Sequence, residues 1–441
     1  MSVRTRWWAS AWVLTSIGWS TAAYAQGGGE APKVDGADTT FVLLSAALVM
    51  LMTPGLALFY GGMVRRKNAL ATIMQSFICL GLVGVAWVVY GYSLAFGPDK
   101  GGVIGSLAWA GLRHVGLDPN PDYAATIPHQ AFMIYQAMFA VITPALITGA
   151  FAERMKFKSY LVFVMLWFTL VYCPVAHWVW GAGGWLRSLG ALDFAGGTVV
   201  HITSGVSALV AALLIGKRLH YPSEEMRPHN LTMTLLGTGL LWFGWFGFNA
   251  GSALSAGKLS VVAFVATNTA AAAGALAWMF LEWWQRGEPN ALGAASGAVA
   301  GLVGITPAAG FVSPISALLI GVGAGAVCYL AVMKLRPTLG YDDSLDTFGI
   351  HGVGGAWGAL ATGLFASKLV NEAGNDGLFA GNPSQLAIQL AGVVATVVYA
   401  ALVSFVLLKA LDATMGLRVK EEAEEEGLDL SEHGELAYDP L

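Results

Sequence analysis

The chain has 441 residues, of which 56% are hydrophobic and only 11% charged, and its mean hydropathy is +0.63. Soluble globular domains carry roughly a quarter charged residues, so this composition excludes a soluble globule and places the chain in a bilayer. The net charge of -4, partly set by the acidic stretch from Glu421 to Glu426, leaves no basic surface for a nucleic-acid partner.

The first 25 residues open with Arg4 and Arg6, continue through an apolar stretch from Trp7 to Trp19 and end on Ala23-Tyr24-Ala25. A basic start, a short apolar core and an A-x-A site predict a signal peptide at 1-25, with a first transmembrane helix as the alternative reading. Apolar segments long enough to cross the hydrocarbon follow at 39-61, 69-96, 128-150, 158-181, 194-216, 231-250, 259-283, 291-308, 313-334, 346-367 and 385-411. They predict an all-α polytopic membrane protein with eleven transmembrane helices, the last of them long. A charged tail, 412-441, follows the transmembrane domain at 26-411.

With the N-terminus outside, an odd number of spans puts the C-terminus in the cytoplasm. On that arrangement fifteen Lys and Arg residues lie inside and six outside, as the positive-inside rule requires. The three cysteines, Cys79, Cys173 and Cys328, sit in apolar segments without paired spacing, so neither a disulfide framework nor a metal site is expected. Glycines at helix-packing intervals, such as Gly293, Gly297 and Gly301, read as close-approach positions between membrane helices.

Asp193 precedes His201 by eight residues, and Asp343 precedes His351 by eight. The fifth and tenth segments run in opposite directions, so this echo fits an inverted repeat of helices 1-5 and 6-10 with a site near the midplane; coincidence is the other reading. Ionisable groups inside spans are costly and usually functional. Glu153 and Glu282 fall at cytoplasmic helix ends and need no special role, whereas His201 and His351 lie within their segments. Either histidine alone reads as a satisfied core residue; the echoing pair reads as functional. Asp193 and Asp346 stand just before helical runs, where a carboxylate accepts free backbone N–H groups, and are expected to support the histidine helices as N-caps. Trp180 and the run from Gly244 to Ser252 fit either an aromatic belt or a site where ring faces and a hydroxyl hold a small cation. Depth counting sets His201 about two turns below the outer end of its segment, and His351 about one and a half above the inner end of its own. Glu421 to Glu426 reads as a solvated run.

At these residues the chain resembles the ammonium transporter family (the Amt/Mep/Rh group), specifically its bacterial Amt members, from about residue 40 to the C-terminus. The most specific match is Asp193-Phe194-Ala195-Gly196-Gly197-Thr198-Val199-Val200-His201. Pro54 to Gly62, Ala176 to Gly181, Gly244 to Ser252, Phe348 to Gly352 and Gly416 to Val419 match as well. The resemblance implies an outer recruitment site at Trp180 and Ser252 with Phe139 beneath, a gate of Phe139 and Phe248, and a pore lined by His201 and His351. It assigns Asp193 to support of the recruitment site. It also implies a homotrimer in the inner (plasma) membrane, and a cytoplasmic face open to a PII-type signal protein. Tyr135 stands where the family pattern leads one to expect Phe.

Ammonium and potassium have similar size and charge, so discrimination needs chemistry that potassium lacks. Ammonium donates hydrogen bonds and can lose a proton, while an intact ion in a narrow apolar pore carries a large desolvation cost. The expected function is therefore capture of ammonium, deprotonation near the gate and passage of ammonia along the histidines, without a cofactor and without enzymatic turnover. An ammonium sensor acting through a cytoplasmic partner is the alternative. A metalloenzyme lacks a third ligand at suitable spacing.

Overall fold

The structure, a computed structural model, describes residues 33–438; the signal peptide expected at 1-25 lies outside the described residues. All eleven predicted segments are helical. In chain order they are α1 (Gly36–Met63), α2 (Arg66–Phe96), α3 (His129–Ala150), α4 (Phe157–Leu189), α5 (Gly197–Ile215), α6 (Leu231–Ala253) and α7 (Lys258–Arg286). They continue with α8 (Ala291–Ile305), α9 (Pro314–Leu339), α10 (Val353–Phe365, entered through a wide π turn at Phe348–Gly352) and α11 (Pro383–Met415). Nine are long and apolar enough to cross a bilayer by length and composition. The other two, α8 and α10, are shorter and richer in small residues. The chain is a multi-pass membrane protein. Its outer shell is apolar: Val85, Leu213, Leu236, Val398 and Leu402, all on spanning helices, are 59–66% exposed, which suits contact with lipid.

Helix starts follow local chemistry. Asp35 accepts from Asp38 N at α1, Asn230 from Met233 N at α6, and Asn290 from Gly293 N at α8. At α9, Ser313 accepts from Ser316 N, and Pro314 follows at the first helical position, where its missing N–H costs nothing. Between α2 and α3 the chain forms two small antiparallel ladders, β1 (Asp99–Lys100) with β2 (Ile104–Gly105) and β3 (Pro119–Asn120) with β4 (Ala124–Pro128).

The pseudo-symmetry expected from the echo is built into α5 and α10. Each begins in a wide π turn that contains its histidine. They pack against each other where side chains are missing: a Cβ on Gly205 would fall 2.0 Å from Gly352 N, and one on Gly355 would fall 2.9 Å from His201 Cβ. Only glycine at these positions lets the two backbones approach so closely.

Depth counting sets the two histidines on different levels, yet they meet, because each lies in the opening π turn of its helix. From His201 to Ile215, fourteen residues, α5 runs about 21 Å, and from His351 to Phe365, also fourteen, α10 runs about 21 Å the other way. Behind each histidine only a turn of helix remains. Both N-termini are thus sunk toward the middle of the protein, which brings the histidines to one level.

Beyond α11 the tail is seated on the helix ends rather than solvated throughout. Its short helices α12 (Glu421–Glu426) and α13 (Leu428–His433) carry carboxylates that meet free backbone N–H groups. Glu424 accepts from Leu219 N and pairs with Arg418, Asp429 accepts from Leu70 N and Ala71 N, and Glu432 accepts from Phe157 N. Glu424 is 1% exposed, so the expectation of a simple solvated run is corrected at this residue.

Candidate functional site

The N-terminus of α5 is organised by one carboxylate. Asp193 accepts from Gly196 N and Gly197 N on Oδ1 and from Thr198 N and Val199 N on Oδ2, at 2.7–3.2 Å. Four otherwise orphaned donors at the positive end of a helix are satisfied by a single side chain. The tight entry requires the left-handed backbone of Gly196, φ 115°. Asp193 also offers its backbone oxygen to the indole N–H of Trp180, 2.9 Å away, so it ties the start of α5 to Trp180 of α4.

At α10 the corresponding carboxylate is that of Asp343, which accepts from Phe348 N at 2.7 Å. Asp346, expected as the cap, instead turns its side chain to Arg336 in an ion pair. It holds a positive φ of 61° and contributes only its backbone oxygen to the helix, accepting from Ile350 N. The reason is spacing: the eight-residue separation that sets Asp193 to cap its helix is shared by Asp343, not by Asp346.

Trp180, Phe139 and Ser252 converge on an outer cavity of about 190 Å³. Phe139 meets Trp180 edge-on, ring centroids 6.0 Å apart at 86°. Ser252 Oγ donates to Phe248 O at 2.8 Å and lies 3.0 Å from the Tyr135 hydroxyl, leaving a lone pair as acceptor. Beneath, Phe139 and Phe248 lie 4.2 Å apart between centroids at 34°. This ring pair stands between the outer cavity, lined by Phe139, and a narrow inner one of about 10 Å³, lined by Phe248 and both histidines. The inner cavity has room for about one water-sized particle, and apart from the imidazoles its walls are apolar, with Met52, Leu56, Ile142 and Val299 among them.

His201 and His351 meet directly: their Nδ1 atoms are 3.2 Å apart and their rings nearly parallel, at 21°. Both are almost wholly buried, and His201 Nε2 has no hydrogen-bond partner. Trp245 stacks on His201 at 5.6 Å, held there by its indole N–H on Thr306 Oγ1. Reading down from Trp180, the order is an aromatic and hydroxyl-lined bowl, a phenyl pair and then two touching imidazoles.

A family model described as Ammonium Transporter Family matches residues 40–438. The chain belongs to the ammonium transporter family. It is 56% identical over 401 residues to an ammonium transporter of Bacillus subtilis, covering 91% of this chain and 98% of that protein. It is 51% identical to the ammonium transporter Amt1 of Archaeoglobus fulgidus, covering 91% and 99%. Among solved structures, Mep2 of Saccharomyces cerevisiae superposes with a TM-score of 0.83 at 41% identity over 88% of each chain. A protein titled Sensor Amt Protein superposes at 0.84 with 30% identity, covering 90% of this chain and 98% of that one.

Within this ammonium transporter family member, two residues of the site escaped the reading of the sequence. Tyr135 registered only as a departure from the expected Phe; its hydroxyl reaches Gly247 O and Phe248 O at 3.0 and 2.8 Å and braces the turn that carries Phe248 and Ser252. Trp245 lies inside the run from Gly244 to Ser252, but nothing in its spacing marks it as the residue that flanks His201. Among the described residues no group of three or more His, Cys, Asp or Glu side chains could hold a metal ion.

Proposed function

We propose that the protein transports ammonium across the membrane by a recruit, deprotonate and conduct sequence along the ordered path. The observation that carries this reading is the succession of Trp180 and Ser252, the Phe139–Phe248 pair and the His201–His351 contact within one narrow track. Ammonium is captured on the ring faces of Trp180 and Phe139 and on the Ser252 hydroxyl, the pattern that suits a partly desolvated cation able to donate hydrogen bonds. The phenyl pair closes the path to a hydrated ion, and an intact ion in the apolar section below bears a large desolvation cost. The proton is therefore given up near the gate and ammonia passes along the imidazoles. Potassium has no proton to leave behind and is held out. The test is flux in proteoliposomes: an ammonium gradient drives current or uptake that an equal potassium gradient does not, and equal response with and without the protein sinks the reading.

The wider arrangement follows from the same reading. Residues 1-25 are a signal peptide, 26-411 the transport domain and 412-441 a cytoplasmic tail, with the N-terminus outside the inner (plasma) membrane. The assembly is a homotrimer with one path per subunit, and its cytoplasmic face takes a PII-type signal protein. Asp193 supports the recruitment site by fixing Trp180 and α5 together, and Asp346 supports the inner end through Arg336. A second reading, sensing, is favoured by the likeness to the Sensor Amt Protein and by the tail seated on three cytoplasmic connections. Pull-downs from ammonium-starved and ammonium-replete lysates separate the two readings: an ammonium-dependent partner is expected for a sensor.

A further inference from the structure

Among the described residues lining the outer cavity, only Asp122 and Arg187 carry a formal charge. Arg187 is pinned there by two backbone carbonyls, donating from Nη1 to Trp180 O at 2.8 Å and from Nη2 to Asp122 O at 3.1 Å, with its guanidinium 5.9 Å from the Tyr123 ring centroid. Four other arginines meet carboxylates, Arg65 with Glu153, Arg218 with Asp342, Arg336 with Asp346 and Arg418 with Glu424, whereas the buried Arg154, away from the cavity, is held like Arg187 by backbone carbonyls. Arg187 has no carboxylate within 4.0 Å among the described residues. A guanidinium held by two carbonyls and in ion-pair contact with no carboxylate thus sits at the mouth of the proposed path for cations, bonded to the backbone of the very tryptophan assigned to recruitment.

A fixed charge repels a ligand in proportion to the ligand's own charge. We propose that Arg187 is a valence filter: it tolerates a monovalent cation, whose repulsion the faces of Trp180 and Phe139 and the Ser252 hydroxyl offset, and rejects polyvalent cations such as diamines and divalent metals. If the repulsion lowers monovalent affinity by some factor, it lowers divalent affinity by about the square of that factor, because the energy doubles. The Asp122 carboxylate lies on the same cavity and acts in the opposite sense. Its residue is bonded to Arg187 only through the backbone oxygen, and of these two charged residues of the cavity Arg187 is the one bonded to Trp180. This inference rests on the reading of Trp180 and Ser252 as the recruitment site.

The test uses the full chain in proteoliposomes, with ammonium current as readout and two competitors: methylammonium, a monocation, and 1,2-diaminoethane at a pH where both amines are protonated. In Arg187→Gln at about 0.01 M ionic strength, the KM for ammonium and the KI for methylammonium are expected to fall about two- to fourfold, and the KI for the diamine by the square of that factor. Arg187→Lys, which keeps the charge, restores wild-type values, and the differences collapse at about 1 M salt, where charges are screened beyond about 3 Å. Asp122→Asn moves all three constants upward. Equal fold-changes for monocation and dication, unaltered constants, or failure of Arg187→Lys to restore them would overturn the filter. Trp180→Leu separates the two levels: an unaltered KM there removes the recruitment site itself, whereas a shifted KM there with unaltered constants in Arg187→Gln removes only the filter.

Discussion

Two neutral imidazoles with Nδ1 atoms 3.2 Å apart make that contact only if one ring donates and the other accepts. Their Nε2 atoms then carry opposite roles, one an acceptor and one an N–H donor, so the pair can relay a proton or hold ammonia by hydrogen bonds. Above them, on the proposed function, the ring face of Trp180 gives a cation a partly desolvated seat. Trp180→Leu is expected to raise the half-saturating ammonium concentration by about two- to thirtyfold, the range of a cation–π contact of about 0.5–2 kcal/mol. An unchanged concentration dependence would make Trp180 merely interfacial. Tyr135 is a strut: without its hydroxyl, buried carbonyls of Gly247 and Phe248 lose a donor. Tyr135→Phe should cost about 1–3 kcal/mol of stability, read as a lower melting temperature in detergent, together with weaker ammonium affinity. Retention of both would place the bracing of Ser252 elsewhere.

The elements that hold these residues are two helices begun inside the protein. Asp193 caps α5 with four accepted N–H bonds, and Asp193→Ala should cost about 2 kcal/mol or more, because the freed donors have no water to turn to. At α10 the larger loss is expected for Asp343→Ala rather than Asp346→Ala, since Asp343 holds the cap; the reverse order in thermal unfolding would contradict the assignment. Part of this was legible beforehand: the segments came from hydropathy, and the echo of an Asp eight residues before each His was visible, but the cap of α10 was expected at Asp346 and is held by Asp343. The recessed helix starts were not, because a run such as 346-367 is apolar whether or not its first residues are helical. Nor was the contact between imidazoles 150 residues apart, which depends on Gly205 and Gly355 permitting close approach. The tail offers a pH test outside the membrane. Its hydrogen bond to Glu425, with Glu224 nearby, raises His220 above its ordinary value, and the same bond lowers Glu425. The histidine's contribution to docking is present below its ordinary value of 6.5 and lost as pH rises through the raised one. The glutamate's is present above 4.5 and lost only as pH falls through its lowered value. Proteolysis of the tail should therefore quicken as pH rises from about 6 to about 8, and His220→Gln should be fast throughout; a flat wild-type profile would contradict the pairing.

At the scale of the molecule, the apolar shell, the oppositely directed α5 and α10 and the membership of the ammonium transporter family all bear on one claim. On the proposed function, ammonium is told from potassium because it can leave a proton behind at a narrow apolar constriction backed by two histidines. The most direct test is the current carried by ammonium and by potassium pulses on solid-supported membranes, for the wild type and for His201→Ala and His351→Ala. The wild type is expected to answer ammonium alone, and each variant either to lose the ammonium current or to begin to pass potassium. Both variants keeping the wild-type ammonium current and the wild-type exclusion of potassium would contradict it.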